Sequence, residues 1–183
     1  MYDADESQQL AAWARDAGDF PCQVVSAATA FFADTMYPFM EPERINLVDV
    51  GHAENHPEIV DSVLEVADAA LVTVSPTQPD YQRLMRPEKG TPADEDGQAV
   101  REPARHRRPA PTTVVLLNRC QAGAKSTGDY KSKLRADGWD VLTSTIPRRE
   151  AIASVVGFPC DKPERRAPYD QLVTEFADRG LLK

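Results

Sequence analysis

Five short apolar runs alternate with segments of helical pattern, and this alternation limits the fold more than any other feature of the chain. "CQVVSA" (22–27), "INLVDVG" (45–51), "AALVTVS" (69–75), residues 112–118 and "GWDVLTSTIP" (138–147) read as strands. Several are apolar continuously rather than at every second residue, the pattern of strands covered on both faces. Between them lie helical stretches at 6–17, 28–40, 57–68, 77–85, 129–137 and 148–156, with a last one at 169–182. Strands separated by helices connect in parallel, so the expected class is α/β, a mostly parallel sheet with flanking helices. The 183 residues suit a single domain, and no internal repeat is present.

One stretch breaks the rhythm. Residues 86–111, "RPEKGTPADEDGQAVREPARHRRPAP", hold five prolines, two glycines, many charges and almost no large apolar side chain. Such a composition buries too little to order itself and reads as a flexible insertion. Its second half is basic, a solvated loop or a contact patch for DNA or an acidic partner. Elsewhere the balance is acidic, with a net charge of −8 and an isoelectric point near 4.9, which opposes contact with phosphate backbones outside a local basic patch. Cys22, Cys120 and Cys160 are far apart and outside CxxC spacing, against a disulfide framework or structural zinc site. No stretch approaches the roughly 18 apolar residues of a membrane span, and the N-terminus has no basic-then-apolar leader. The expectation is a soluble, cytoplasmic protein.

Three motifs bear on chemistry. "CQAGAKST" (120–127) follows an apolar run and precedes a helical one, as a phosphate-binding loop does. The pattern GxxxxGK(S/T), anchored on Lys125, needs glycines where Arg119 and Ala124 stand, and the deviant KGGxGK(S/T) form fits only at its tail. "HAENH" (52–56) places Glu54 one residue too late for HExxH, with Pro57 marking a helix not yet begun. Acids at strand ends are stronger candidates: "DAD" (3–5) and Asp49 at the end of 45–51 would lie at the carboxyl edge of a parallel sheet, where ligands and Mg²⁺ gather, or would cap the following helix. A receiver-type acidic pocket would need a strand before the DAD pair, and none is read there.

Taken in order, these segments resemble the ParA/MinD family of deviant Walker-type ATPases, particularly the ParA-type partition proteins. "DADESQQLAAWA" (3–14) is similar to the family's DxDPQxSAxxWA segment at Asp3, Asp5 and Trp13-Ala14, departing at Glu6, Ser7 and Gln9-Leu10. "INLVDVGHAE" (45–54) resembles the Walker B strand with Asp49 as its acid, and "ALVTVSPTQPDYQRL" (70–84) the strand ending in P-x-(Q/E). Residues 114–152 resemble the late segment, a strand ending in Asn-Arg, then V-L-x-T-x-I-P-x-R with Ser144 for threonine. "PYDQLVTEFADRG" is similar to the closing helix, so the likeness covers nearly the whole chain except 86–111.

The resemblance implies a P-loop NTPase-like module for DNA or plasmid segregation, or a related positioning task. It would bind ATP and Mg²⁺ between two subunits, bind DNA non-specifically as a dimer, and hydrolyse ATP when a partner stimulates it. It implies Asp5 as the residue positioning the attacking water, Asp49 as the Mg²⁺ acid acting through water, and Asn118 with Pro147 near the adenine. The family's P-loop lies upstream of the DxD segment, and this sequence opens two residues before that segment. Weak or absent ATP hydrolysis is therefore expected, since phosphoryl transfer depends on the electrostatic cradle. The family's P-loop strand lies beside the Walker B strand, so two open apolar edges are also expected. The alternative is a non-catalytic relative acting as a protein-interaction module.

Overall fold

Proline and glycine place several of the element boundaries, among them Gly18 after α1 and Pro57 at the start of α3. The computed structural model describes residues 1–52, 55–85, 111–153 and 162–182. The expected insertion lies outside the described residues except for Pro111, as do Glu54 and Cys160. The described residues divide into two compact units, one built on residues 1–67 and one on residues 68–85 with 112–153 and 162–182.

The first unit holds β1 (Tyr2–Asp3), α1 (Gln9–Ala17), β2 (Val25–Ser26), α2 (Phe32–Thr35), a 3₁₀ turn (Tyr37–Phe39), β3 (Val48–Asp49) and α3 (Pro57–Leu64). Its strands form a parallel sheet in the order β2-β1-β3, with Tyr2 opposite both Val25 and Val48. No strand was read before the acidic pair; the structure puts Asp3 itself in one. Two-residue strands carry too little periodicity to register in a sequence. The helix expected over 28–40, stopping near Pro38, is shorter than read: α2 gives way to a 3₁₀ turn at Pro38, which has no N–H to carry an α-helix through. Phe32, fully buried, packs with Ala4, Ala27, Ile59 and Val63, and its ring meets Tyr2 edge-on at 5.9 Å.

The second unit holds β4 (Ala69–Val74), α4 (Gln78–Met85), β5 (Thr112–Cys120), α5 (Lys125–Ala136), β6 (Val141–Pro147), α6 (Glu150–Ala153) and α7 (Pro163–Asp178). Its sheet is parallel, in the order β4-β5-β6. β5 is central and its alternate faces define two cores. Val115 and Leu117 pack with Leu134 and Trp139, while Val114 and Leu116 pack with Leu142, Ile146 and Leu172. Tyr81 of α4 donates to Asp137 (2.7 Å), and Lys133 lies 3.6 Å above its ring. Helix α7 starts earlier than the expected 169, at Pro163, whose missing N–H costs nothing at a first helical position. Both sheets are parallel and flanked by helices, the α/β class expected, in keeping with Rossmann- and P-loop-like folds.

Among the described residues β2, β3, β4 and β6 each pair on one side only. The run 69–75, which reads as buried, alternates instead: Ala69, Leu71 and Thr73 are exposed and Val74 is buried. An outer strand has no layer over that face, so pleat alternation governs it. The free side of β6 is closed by a side chain. Glu175 of α7 accepts from the N–H groups of Thr143 (2.8 Å) and Ser144 (2.7 Å), and Arg179 ties the same carboxylate (2.8 Å) to Asp140 (2.8 Å). The ladder with β5 is irregular just there, which turns both amides toward the helix.

Desolvation is the largest single influence on the Glu175 carboxyl and acts upward, but the Thr143 and Ser144 hydrogen bonds and Arg179 outweigh it, holding the group at about 2. A depressed carboxyl stabilises above its unfolded value of 4.5 and loses that contribution as pH falls through its folded value. Glu175→Gln should therefore cost about 2–3 kcal/mol at pH 7 in urea unfolding. The difference between variant and parent should close between pH 4.5 and about 2.

Candidate functional site

The chemistry of the first unit gathers at the carboxyl edge of its sheet. Parallel pairing sets Asp3 of β1 beside Asp49 of β3, and the chain leaving β1 carries Asp5 to the same edge. This edge of a parallel sheet, where strands give way to loops, is the usual ligand crevice of α/β proteins.

The three carboxylates are not equivalent. Asp3 is fully buried. Its Oδ2 accepts from Ala11 N–H at 2.8 Å, within the first turn of α1, and its Oδ1 accepts from Asp5 N–H at 3.3 Å. The residue before α1, Gln8, sits at φ 47° and offers no side-chain cap, so Asp3 caps the helix from the neighbouring strand. Asp5 is half-buried; its Oδ1 accepts from Ser7 N–H at 2.9 Å and its carbonyl from Gln8 N–H at 3.0 Å, a tight turn that fixes the side chain. A Cβ on Gly51 would lie 3.1 Å from the Asp5 carboxylate, so glycine after β3 is what lets the two loops approach.

Asp49 is the exposed member of the trio. Its carboxyl is pushed above the ordinary range, first by desolvation and then by the charges of Asp3 and Asp5. His56, at the start of α3, faces Glu6 (Nε2 at 3.0 Å) and Glu58 (Nδ1 at 3.8 Å). "HAENH" thus supplies a histidine that meets two glutamates, and among the described residues no group of three or more His, Cys, Asp or Glu is placed to hold a metal ion. A hard cation such as Mg²⁺ takes one or two carboxylates and keeps several waters. Asp49 suits that need, because a cation would relieve the repulsion that raises its carboxyl, whereas both oxygens of Asp3 are already engaged.

A separate cavity of about 450 Å³ opens in the second unit, beyond the carboxyl ends of β5 and β6. Its walls include Cys120, Gly123, Thr127, Pro147, Arg149 and Pro168. Pro147 is held in register with Cys120, and Arg148 N–H donates to the Cys120 carbonyl at 2.8 Å. Of the two residues expected near an adenine, Pro147 lines this cavity and Asn118 is not among its walls; Asn118 Oδ1 accepts from Arg119 N–H at 2.8 Å. "CQAGAKST" forms the strand-to-helix connection and one wall of the cavity, with Gly123 at φ 71°. Burial pushes the Cys120 thiol up, against smaller opposing influences of Thr127 and Lys131.

Sequence reading missed Glu175; the helix cap that it allowed for the DAD acids is made by Asp3. Asp3 stood out as an acid, but its helix-capping contact crosses from one element to another.

No protein-family model matches the chain, and no curated protein sequence matches it. Among the described residues no helix is long and apolar enough to cross a membrane.

Asp3 and Asp49 should respond to mutation in opposite directions. Asp3→Ala removes the only side-chain acceptor at the start of α1 among the described residues, and should cost about 1–3 kcal/mol in denaturant unfolding. A raised carboxyl destabilises the fold as pH rises from the unfolded value, 3.8, through the folded one. Asp49→Asn should therefore raise the thermal midpoint at pH 7, and the gain should vanish once both states are protonated in acid.

Proposed function

We propose that this chain is a ParA/MinD-like nucleotide-binding module of a cytoplasmic segregation or positioning system. The observation that carries the reading is the pairing of Asp3 with Asp49. It brings the DxD segment and the Walker B-like acid side by side at one parallel sheet edge, which supports the reading. On this reading Asp49 holds Mg²⁺ through water and Asp5 positions a water. Bound Mg·ATP would supply the electrophilic phosphorus and the charge that these acids complement. Dimerisation and non-specific DNA binding belong to the same proposal.

No stretch of the 183 residues has the glycine spacing of a phosphate loop, so the chain by itself should bind nucleotide weakly and hydrolyse it negligibly. Titrating Mg·ADP into the isotope-labelled chain should shift the amides of Asp49 and Gly51. Unchanged spectra at millimolar nucleotide would refute the reading. Stimulated phosphate release by the same chain, abolished by Asp5→Ala, would instead overturn the expectation of negligible hydrolysis.

The second reading, a non-catalytic interaction module, is favoured by one observation: an ordered segment of the first unit turns large apolar side chains outward.

A further inference from the structure

Among the described residues, five of the nine large apolar residues that are exposed fall within residues 31–47: Phe31, Tyr37, Phe39, Ile45 and Leu47. Phe39 is 79% exposed and Phe31 67%, values unusual for phenylalanine in a folded chain. The segment is nonetheless anchored. Phe32 is fully buried, and Met36 and Met40 pack against the same core, so one side faces inward and the other outward. Thr35 N–H and Met36 N–H donate to the Phe31 and Phe32 carbonyls at 2.9 Å each. Asn46 Nδ2 closes the following turn on the Glu41 (2.9 Å) and Arg44 (3.0 Å) carbonyls. Tyr2 N–H then takes the Leu47 carbonyl at 2.8 Å. An apolar strip held rigidly in place loses little entropy when something binds it.

Charge identifies what that is. Residues 1–67 contain thirteen Asp and Glu against two Arg, a net charge of −11, while residues 68–183 are net +3. Asp34, Glu41 and Glu43 stand exposed among the aromatic residues themselves, and of the two arginines Arg44 is paired to Glu41 at 2.8 Å. A second copy of this strip would bring two strongly acidic surfaces together, and a nucleic acid or anionic bilayer would be repelled. Apolar anchors ringed by carboxylates fit a partner with apolar residues on one face and Lys or Arg around them.

We propose that residues 31–47 form a docking surface for a basic amphipathic segment of a partner protein. Phe31 and Phe39 are the anchors, and the acidic surround steers and selects. The surface lies within the first unit and requires no nucleotide, so it stands apart from the reading of the acidic edge.

The test uses the full 183-residue chain and a labelled synthetic amphipathic peptide of about 18 residues, leucine on one stripe and lysine on the rest. A matched peptide with glutamate for lysine serves as the control. Fluorescence anisotropy should show saturable binding of the lysine peptide, weakened at least tenfold by raised salt. The glutamate peptide should not bind. The F31S/F39S double variant should weaken binding at least tenfold while its thermal midpoint stays close to the parent's, both side chains being exposed. Charge reversal at Glu41 and Glu43 should weaken binding without touching the anchors. Absence of lysine-peptide binding at millimolar concentration, equal binding of the two peptides, or unchanged binding by the double variant would each overturn the proposal. So would a sedimentation result in which the parent chain dimerises and the double variant does not, which would assign the strip to a second copy.

Discussion

The first unit depends on the buried carboxylate of Asp3. Its sheet is held by ladders only two residues long, too short to fix the surrounding loops by pairing alone. Asp3 supplies the missing constraint: one oxygen holds the start of α1 and the other the turn at Asp5. A fully buried carboxylate is tolerable because both its oxygens accept N–H bonds, one of them at the positive end of a helix. The DAD segment therefore divides its labour. Asp3 is spent on the fold, and in being spent it orients Asp5, whose own Asx turn faces the glycine after β3.

Asp49 shows the converse. It lies beside two other acids, its carboxyl is raised by desolvation and by their charges, and among the described residues no hydrogen bond or ion pair reaches that carboxyl. A fold selected for stability alone would have little reason to keep an acid there, since an amide of the same shape would escape the repulsion. Groups whose charge opposes the fold cluster where a ligand of opposite charge is bound. The same carboxylate repulsion that weakens the unit is what a cation at this edge would relieve.

Fold class was legible in the sequence because alternation of apolar runs and helical segments is a long-range pattern that local errors do not erase. Strand 112–118 and helix 77–85 fall where β5 and α4 lie. The short elements were not legible. β1 has two residues, and in 28–40, read as a helix stopping near Pro38, the α-helix itself is only four residues long. Burial was misjudged at Ile45, Leu47 and Leu71 for a common reason: apolar composition reports what a strand could bury, while exposure depends on whether a neighbouring layer exists. At the acidic edge, sequence named Asp5 and Asp49 but could not separate them from Asp3, because the difference lies in a hydrogen bond to Ala11 eight residues away. Glu175 pairs locally with Arg179, but its contact with β6 left no local signal, the Ser144 and Thr143 amides being 31 and 32 residues distant.

The loop "CQAGAKST" shows how little a strand-to-helix connection says by itself. Every crossover in a parallel sheet needs one, and each places helix N–H groups at the carboxyl edge. A phosphate cradle needs more, namely successive glycines that let several amides converge on one point. Here Gly123 alone takes a positive φ, and Ala124, extended at φ −75° and ψ 126°, carries a Cβ where the cradle would need none. Lys125 begins α5 at the helix's positive end, where its charge opposes the dipole and no acid follows in the first turn. The helix is held from its other end instead, by fully buried Leu134 and by Tyr130 against Tyr81. Packing makes this loop, and its Lys-Ser-Thr tail is the first turn of a helix that the core keeps in place.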